Sequence, residues 1–227
     1  MSELAIIVPV KDTRQSKQRL GEHLGPADRQ RLAHVMLEDV LEAIQPLRER
    51  APCVLITVDP FAEALAGHYG MRVITDGAHE GHTGAVDGGR RRLAGEGWSA
   101  ILTMPGDIPL VTTNEISAVI DAHARSAGFT IVPADDRKGS NAIACSPPLA
   151  VPLRFGADSF YPHLDAARRA GIEPRTVEHR GIATDVDTAE DVERLLRRDP
   201  SNRSRAAQYL RSLGLGAATD IDMETAE

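Results

Sequence analysis

Short apolar runs recur along the chain, separated by longer segments in which apolar residues are spaced differently. The first run, "LAIIVPV", is continuous rather than alternating, which is typical of a strand buried on both faces. Runs of the same kind follow up to the last third of the chain. The predicted strands cover residues 4–10, 53–58, 71–75, 100–105, 129–133 and 141–146, with a weaker strand at 174–179.

Between these runs, apolar residues recur at steps of three and four, which is the spacing of one helix face. Pro26 opens the clearest example, because proline is favoured in the first turn of a helix. Thr112 and Glu115 match a capping box, and Thr188 is placed to cap a late helix. Further helices are predicted from Pro60 to Gly70, up to about Leu93, from 157 to Gly171 despite Pro162, and up to about Arg197.

Strands that alternate with helices predict an α/β fold with a mostly parallel sheet and helices on both faces. We predict one domain over residues 1–198 and a C-terminal extension over 199–227, partly helical with an acidic tail. Ligands of such sheets bind at the carboxyl ends of the strands. The residues that directly follow strands are therefore the first candidates for a functional site.

Composition narrows the class of protein. The chain has 227 residues, of which 42% are hydrophobic and 26% charged, within the usual globular range. Its formal net charge of -7 argues against a broad nucleic-acid surface. An acidic protein that binds a phosphorylated metabolite needs local cations or a metal to do so.

The chain also carries signals of location. The start, "MSELAIIVPVK", lacks a basic segment before a long apolar run, and no apolar stretch reaches the ~18 residues of a membrane helix. The two cysteines, Cys53 and Cys145, lie far apart in apolar runs and are expected to be reduced core residues. We predict a cytoplasmic protein without membrane contact.

Three acids follow predicted strands. Asp107 lies in "LTMPGDIPLVT", and Asp185 and Asp187 flank Val186 in "ATDVDTAE". Residues two apart in an extended segment point the same way, so both late acids can face one ligand. Three carboxylates at one sheet edge predict a Mg²⁺ site, because this cation prefers oxygen ligands. For Asp185 and Asp187 alone, a helix N-cap is an equally good explanation.

Cations and small residues supply further candidates. Lys11 directly follows the first strand in "VPVKDTRQSKQRL", and this position favours phosphate contacts over an ordinary solvated loop. Glycines in "GHTGAVDGGRRRL" match neither a Walker loop nor a dinucleotide fingerprint, but they precede a helix N-terminus, which favours anions. Hydroxyl and backbone donors are offered by Ser140, Gly156 and Ser159, although turn and capping chemistry explains each of them singly.

Together, "VPVKDTRQSKQRL", "LTMPGDIPLVT", "KGSNAIACSPP", "PLRFGADSFYPHLDAAR" and "ATDVDTAEDVERL" resemble the 2-phospho-L-lactate guanylyltransferase family. The resemblance extends over about residues 4–198 and includes the bacterial branch that uses phosphoenolpyruvate or 3-phospho-D-glycerate. It implies a nucleotide-diphospho-sugar (GT-A-like) nucleotidyltransferase fold and a role in coenzyme F(420) biosynthesis. It also implies hand-over of the product to a downstream deazaflavin transferase, and it allows a homodimer.

The resemblance assigns roles by position. Asp107 and Lys11 are the implied catalytic residues, with Lys11 beside the reacting phosphates. Where relatives tend to carry Leu-Asn in the nucleotide loop, this chain has His82 and Thr83, so guanine and ribose contacts are less defined. The implied metal ligands are Asp107, Asp185 and Asp187; the acid-binding residues are Ser140, Asn141, Gly156 and Ser159; the nucleotide-binding residues are Lys11, Lys17, Arg19 and Thr83.

The expected reaction is transfer of GMP from GTP with Mg²⁺ to a phosphorylated three-carbon acid, with release of pyrophosphate. The acid is phosphoenolpyruvate, 3-phospho-D-glycerate or 2-phospho-L-lactate. One alternative is a sugar-phosphate nucleotidyltransferase, although the loop after the first strand lacks the "GGxGxR" pattern of that class. Another is a non-catalytic nucleotide-binding protein on the same fold, against which three unpaired acids at one site argue.

Overall fold

Seven strands form one sheet in the computed structural model, which describes residues 4–124 and 128–216. The strands are β1 (Leu4–Pro9), β2 (Cys53–Ile56), β3 (Arg72–Ile74), β4 (Ala100–Thr103), β5 (Phe129–Pro133), β6 (Ser140–Cys145) and β7 (Arg175–Thr176). Their order across the sheet is β3-β2-β1-β4-β6-β5-β7. Of these seven described strands, only β6 runs antiparallel to its neighbours, so the predicted mostly parallel sheet is confirmed.

Helices connect these strands in the described residues. They are α1 (Pro26–Ile44), α2 (Pro60–His68), α3 (Gly81–Gly95), α4 (Thr113–Ala124), α5 (Phe160–Arg169), α6 (Arg180–Ala183), α7 (Ala189–Arg198) and α8 (Arg205–Ser212). The predicted capping box of Thr112 with Glu115 is confirmed, and Thr188 caps α7 as predicted, in a capping box that Asp191 completes. Pro162 lies in the first turn of α5, where a missing backbone N–H breaks no helical hydrogen bond.

The two faces of the sheet are covered by different helices. One apolar cluster joins α1, α2 and α4 to alternate residues of the strands, such as Ile6, Leu55 and Leu102. A second cluster joins α3 and α5 to the residues in between, such as Ile7 and Ile101. The predicted coverage of both faces is therefore confirmed. Among the described residues, no helix combines the length and the apolarity needed to cross a membrane.

A third apolar cluster lies outside the sheet, on the far side of α1. Leu32, Val35 and Met36 face away from the strands and pack against α7 and α8. Asp39 of α1 accepts hydrogen bonds from the backbone N–H groups of Arg205 and Ala206, both at 3.0 Å, where α8 begins. The helix predicted inside the extension is therefore packed on α1, while the boundary at 198 stays a prediction. The predicted acidic tail, 217–227, lies outside the described residues.

The antiparallel strand β6 changes what lies at the functional edge of the sheet. Parallel strands present their carboxyl ends at this edge, whereas β6 presents its beginning, Ser140. Its pairing with β5 is regular from Phe129 to Val132 and then shifts by one residue. Pro133 pairs with Ser140, and Asn141 is left without a residue opposite it in β5. Residues that precede β6 and residues that follow the other strands therefore meet at one edge.

Candidate active site

The candidate site begins where β1 and β4 end. Lys17, in the loop after β1, donates hydrogen bonds from Nζ to Asp107 Oδ2 at 2.6 Å and to Asp187 Oδ1 at 2.7 Å. The lysine side chain is only 6% exposed, and its backbone has φ 55, a left-handed conformation that is uncommon outside glycine. One buried cation thus joins two acids that lie 80 positions apart in the sequence.

The two acidic segments are also tied together by their backbones. The Val186 N–H donates to the carbonyl oxygen of Asp107 at 3.2 Å. Gly106, before Asp107, packs so closely on α1 that a Cβ there would lie 3.1 Å from Leu37 Cδ1. Thr188, not the aspartates, provides the side-chain cap of α7. Because Thr188 caps this helix, Asp185 and Asp187 are not needed as caps and can make other contacts.

The third acid, Asp185, has a different partner. Asn141 Nδ2 donates to Asp185 Oδ1 and to the backbone oxygen of Ile182, both at 3.0 Å. Burial raises the pKa of Asp185 to about 6, with a further contribution from the negative charge of Asp107. Burial also opposes ionisation of Asp187, but the positive charge of Lys17 holds the pKa of Asp187 below its ordinary value. The site thus holds more negative charge than its one bridging lysine balances.

Lys11 and Arg19, both exposed, act on this cluster through charge. Neither side chain forms a hydrogen bond or ion pair with another residue in the part of the chain that the structure describes. Both contribute to the lowered pKa of Asp187, and Lys11 also opposes protonation of His82. Burial is the main reason that the pKa of His82 falls to about 4. The two cations therefore lie close to the acids and remain available to an anionic ligand.

The predicted acid-binding residues form a second group beside the first. Ser159 Oγ donates to Ser140 Oγ at 3.2 Å, and both side chains are buried. His163 on α5, which the sequence did not single out, lies 3.0 Å from Ser140 Oγ through Nδ1. Its position four residues after Ser159 is the available signal, since residues four apart share a helix face. Gly156 is exposed and has open space where a Cβ would stand.

Thr83 joins the second group to α3. Its hydroxyl accepts a hydrogen bond from the backbone N–H of Phe155 at 3.0 Å and keeps its own proton for another partner, so its role as a nucleotide contact stays a prediction. The Phe155 ring packs edge-on against His82 and against His163, with centroids 4.7 and 5.2 Å apart. The predicted nucleotide loop and the predicted acid loop therefore touch through one aromatic side chain.

The glycine-rich pattern of α3 is explained first by close packing. A Cβ on Gly88 would lie 2.2 Å from the backbone oxygen of Asp76, and one on Gly84 would lie 2.2 Å from Glu80 Cβ. These glycines let the loop that follows β3 pass directly over the first turns of α3. The N-terminal turn at Gly81 stays at the same edge of the sheet as the acids.

Another group that the sequence did not reveal anchors the basic loop. Asp59 Oδ2 accepts hydrogen bonds from the backbone N–H and the hydroxyl of Thr13, both at 2.8 Å. The same hydroxyl lies 2.9 Å from His34 Nε2, and the His34 ring stacks on Phe61 at 3.6 Å. Asp59 follows β2 and caps α2 before Pro60, so its place after a strand was the visible signal. The loop of Lys11 and Lys17 is thus held at Thr13.

The acids suit a divalent cation, although they do not form a complete cage. Asp107 and Asp187 each place an oxygen within 2.7 Å of one point, the ammonium of Lys17. In residues 4–124 and 128–216, no set of three or more His, Cys, Asp and Glu side chains is arranged closely enough to hold a metal ion. Mg²⁺ is usually bound by one or two carboxylates together with substrate phosphates, so two converging carboxylates fit it.

Comparisons with known proteins point to one family. The family model described as "Guanylyl transferase CofC like" matches residues 4–224. A phosphoenolpyruvate guanylyltransferase of Rubrobacter xylanophilus is 38% identical over 192 residues, which cover 83% of this chain and 91% of that protein. A 2-phospho-L-lactate guanylyltransferase of Methanothermobacter thermautotrophicus is 31% identical over 207 residues, covering 91% and 89%.

The fold has a counterpart among solved structures. A crystal structure from Desulfovibrio desulfuricans G20, provisionally named a nucleotide-diphospho-sugar transferase, superposes with a TM-score of 0.74. It covers 93% of this chain and 95% of that chain at 23% identity, which supports the fold alone. The expected nucleotide-diphospho-sugar transferase fold is therefore confirmed.

Proposed function

Because the chain belongs to the CofC-like guanylyl transferase family, we propose that it transfers GMP from GTP to the phosphate of a phosphorylated three-carbon acid. The observation that carries this proposal is the convergence of Asp107 and Asp187 on one cation at the carboxyl edge of the sheet. Lys11 and Arg19 lie near that point, and neither is paired with an acid within residues 4–124 and 128–216, which suits a triphosphate.

The reaction needs no general base, because the attacking phosphate oxygen of the acid is already anionic at neutral pH. A bond forms between this oxygen and the α-phosphorus of GTP. The bond from the α-phosphorus to the oxygen that bridges to the β-phosphate breaks, and pyrophosphate leaves with that electron pair. Catalysis then depends on in-line positioning and on neutralisation of the developing charge.

The chain's own residues provide both the positioning and the neutralisation of charge. Lys11 and Arg19 neutralise the phosphates as they approach, and Lys17 moves from the acids to the nucleotide. Bound Mg²⁺ supplies a Lewis acid and an orienting centre for the phosphate oxygens. Its proposed ligands are Asp107 and Asp187, with Asp185 completing the set in its ionised form. A bound Mg²⁺ would place two positive charges beside these acids where Lys17 places one, which would offset more of their negative charge.

For the acceptor, we favour phosphoenolpyruvate, since a 38% identical relative is named for that substrate. Ser140, Ser159 and the open backbone at Gly156 form the proposed acid subsite, and Asn141 beside it holds Asp185. The pathway proposed for the product is coenzyme F(420) biosynthesis, by hand-over to a deazaflavin-transferring enzyme. The proposed nucleotide contacts near α3 are the helix N-terminus at Gly81 and the hydroxyl of Thr83, which accepts from the Phe155 N–H and keeps its own proton to donate.

The direct test is a pyrophosphate-release screen that crosses the four common NTPs with phosphoenolpyruvate, 3-phospho-D-glycerate and 2-phospho-L-lactate. The downstream deazaflavin-transferring enzyme is included so that an unstable product is captured. We expect release with GTP and Mg²⁺, fastest with phosphoenolpyruvate. Release with a sugar phosphate only, or GTP binding without release under every condition, would reject the proposal in favour of one of the two alternatives.

Asp107→Asn tests the acid at the centre of the proposal. The amide keeps the size of the side chain but removes the charge that Lys17 or a metal requires, so turnover should fall by roughly 10²–10³-fold or more. Asp121→Asn is the matched control, because Asp121 pairs with Arg50 on the exposed side of α4. Near-normal turnover of Asp107→Asn with Mg²⁺, at an unchanged melting temperature, would contradict the assignment.

A further inference from the structure

His163 is buried at the centre of the proposed acid subsite, and no step of the transfer described above uses it. The residue is 1% exposed and lies on α5, with its ring facing the start of β6. Nδ1 is 3.0 Å from Ser140 Oγ, and the backbone N–H of Arg154 donates to Nε2 at 2.9 Å. Both ring nitrogens are therefore occupied, one by a site residue and one by the loop before Gly156.

These two contacts fix where the imidazole carries its proton. A backbone N–H can only donate, so Nε2 must accept and cannot bear a hydrogen. The proton of the neutral ring therefore sits on Nδ1 and is donated to Ser140 Oγ. Burial, with a contribution from Arg90, lowers the pKa of His163 to about 4, so the ring stays in this neutral form at neutral pH.

The proton assignment also decides what the Ser140 hydroxyl can do. A hydroxyl has two lone pairs and one proton. The lone pairs of Ser140 accept from His163 Nδ1 and from Ser159 Oγ, the latter at 3.2 Å. With the Ser159 hydroxyl donating to Ser140, the described residues offer no further partner within hydrogen-bond distance for the Ser140 proton. The Ser140 hydroxyl can therefore form one further hydrogen bond, as a donor in a fixed direction.

We infer that His163 is a positioning residue that fixes the Ser140 hydroxyl as a hydrogen-bond donor to the phosphorylated acid. This inference rests on the proposed function for the identity of the ligand. An anion requires donors, and a serine whose proton is free to turn elsewhere is a weaker donor than one whose lone pairs are both engaged. Through Arg154, the same ring also holds the loop of Phe155 and Gly156, which borders the subsite.

Two substitutions of His163 separate these contacts. An asparagine places its amide nitrogen at the position of Nδ1, so His163→Asn keeps a donor to Ser140 and loses the acceptor for Arg154. A glutamine reaches the position of Nε2, so His163→Gln keeps the acceptor for Arg154 and loses the donor to Ser140. A residue that is only structural would be equally sensitive to both changes.

The expected result is a split in kinetic constants. His163→Gln should raise KM for phosphoenolpyruvate by roughly 10-fold, the effect of one lost hydrogen bond to an anion, with KM for GTP within about twofold. His163→Asn should remain within about threefold of wild type for both substrates. Ser140→Ala should match His163→Gln, and the double variant should be no worse than either, because both remove the same contact.

Two measurements do not depend on turnover. Calorimetric titration with phosphoenolpyruvate should show the same order of affinities, wild type and His163→Asn above His163→Gln. Nitrogen-15 NMR of the wild-type protein should find His163 protonated on Nδ1. His123→Gln is the matched control for loss of a buried histidine, since His123 lies on α4 near Thr130 at the start of β5, away from the site.

Several outcomes would overturn the inference. Equal losses in both His163 variants, no loss in either, or the reverse order would assign the histidine to folding or to the Arg154 loop instead. Protonation on Nε2 in the wild-type spectrum would do so without any variant. Absence of pyrophosphate release by the wild-type protein would reject the proposed function, whereas the NMR and calorimetric results would still decide the role of His163.

Discussion

Among the acids of the site, Asp185 is the one whose ionised form is least stabilised by its surroundings. Asp107 and Asp187 share the ammonium of Lys17, whereas Asp185 accepts from the neutral amide of Asn141. Its pKa of about 6 results first from burial and then from the neighbouring charge of Asp107. At neutral pH, folding without a cation therefore forces an ionised carboxylate into an unfavourable place, which is a common property of residues selected for function.

Asp185→Asn should make the metal-free protein more stable at neutral pH. The folded-state pKa lies above the ordinary value of ~3.9, so the penalty is absent below about pH 4 and grows as the pH rises through about 6. The amide keeps the contact with Asn141 and removes the charge. We expect a gain on the order of 1–2 kcal/mol at about pH 7.5 and almost none at about pH 4, measured by urea unfolding in EDTA.

Asp165→Asn on the exposed side of α5 is the control for a general effect of lost negative charge. An Asp185→Asn protein that is equally stabilised at both pH values, or destabilised at neutral pH, would contradict the expectation. The same variant should lose turnover in the pyrophosphate assay, so stability and activity should change in opposite directions.

The sequence was sufficient to predict which charged residues converge but not how they pair. Asp107, Asp185 and Asp187 follow strands or precede a helix, and strand order alone brings such positions to one edge. Lys17 was predicted as a phosphate contact, yet its place between two acids depends on the left-handed backbone at that residue. His163 and Asp59 were missed because each looks like an ordinary helix or cap residue until its distant partner is known.

Of the structural elements, the loop that follows β1 depends most on a single anchor. It contains two short 3₁₀ turns, Thr13–Gln15 and Gln18–Leu20, with Lys17 between them. Thr13 fixes it through two hydrogen bonds to Asp59, and Asp59 in turn caps α2. The position of Lys17 over the acids is therefore linked to β2 and α2 rather than to the acids alone.

Thr13→Val should loosen this loop while leaving the sheet intact. The change removes the hydroxyl donor to Asp59 and the contact with His34 at nearly constant volume, and should lower the free energy of unfolding by about 1–2 kcal/mol. Hydrogen exchange should accelerate in residues 11–20, and KM for GTP should rise. Mass spectrometry after brief exposure to heavy water measures the first effect, and the pyrophosphate assay measures the second.

Thr103→Val provides the matched control. Thr103 is buried in β4, and its hydroxyl has no hydrogen-bond partner among the described residues, so the same chemical change removes no contact. Its stability should be unchanged or slightly higher. If Thr13→Val and Thr103→Val gave the same hydrogen exchange in residues 11–20 and the same KM for GTP, the contact of Thr13 with Asp59 would not contribute to function.

Most elements were predictable from the sequence because local patterns specify them. The apolar runs predicted the first six strands to within two residues, whereas the weaker seventh, predicted at 174–179, covers only Arg175–Thr176. Proline or threonine marked four of the eight helix starts in the described residues. The helix α6, four residues long, was not predicted, because it has too few positions to show a period. The direction of β6 was equally invisible, since an apolar run reads the same in a parallel and an antiparallel strand.

Across the whole molecule, α1 is the element that joins the sheet to the C-terminal helices. One side of α1 packs on the strands, and the other side packs on α7 and α8. The family match likewise extends to residue 224, past the boundary of 198 that the sequence predicts. The amphipathic pattern of α1 indicated one buried side, but a helix with two buried sides requires a partner that only the tertiary structure reveals.

A chain that ends at Arg198 tests whether the extension is separable. It loses Ala206, Ala207 and Leu210 from the third cluster and exposes the outer side of α1 to water. We expect a loss of ~3 kcal/mol or more, seen as a lower melting temperature and aggregation. A chain that ends at Gly216 keeps every contact described above and is the control. Equal melting temperatures for all three lengths would instead support a separable domain of residues 1–198.

The irregular pairing at the start of β6 changes which side of the sheet the residues before it face. Ala142 and Ala144 face the α1 layer, and Ile143 and Cys145 face the α5 layer. Strict alternation would send Asn141 toward α5 and Ser140 away from it, but the unpaired residue reverses both. The single extra residue in β6 therefore determines that Ser140 faces α5 and that Asn141 faces the opposite side of the sheet. Inserting or deleting one residue would exchange them, which no single substitution of side chains achieves.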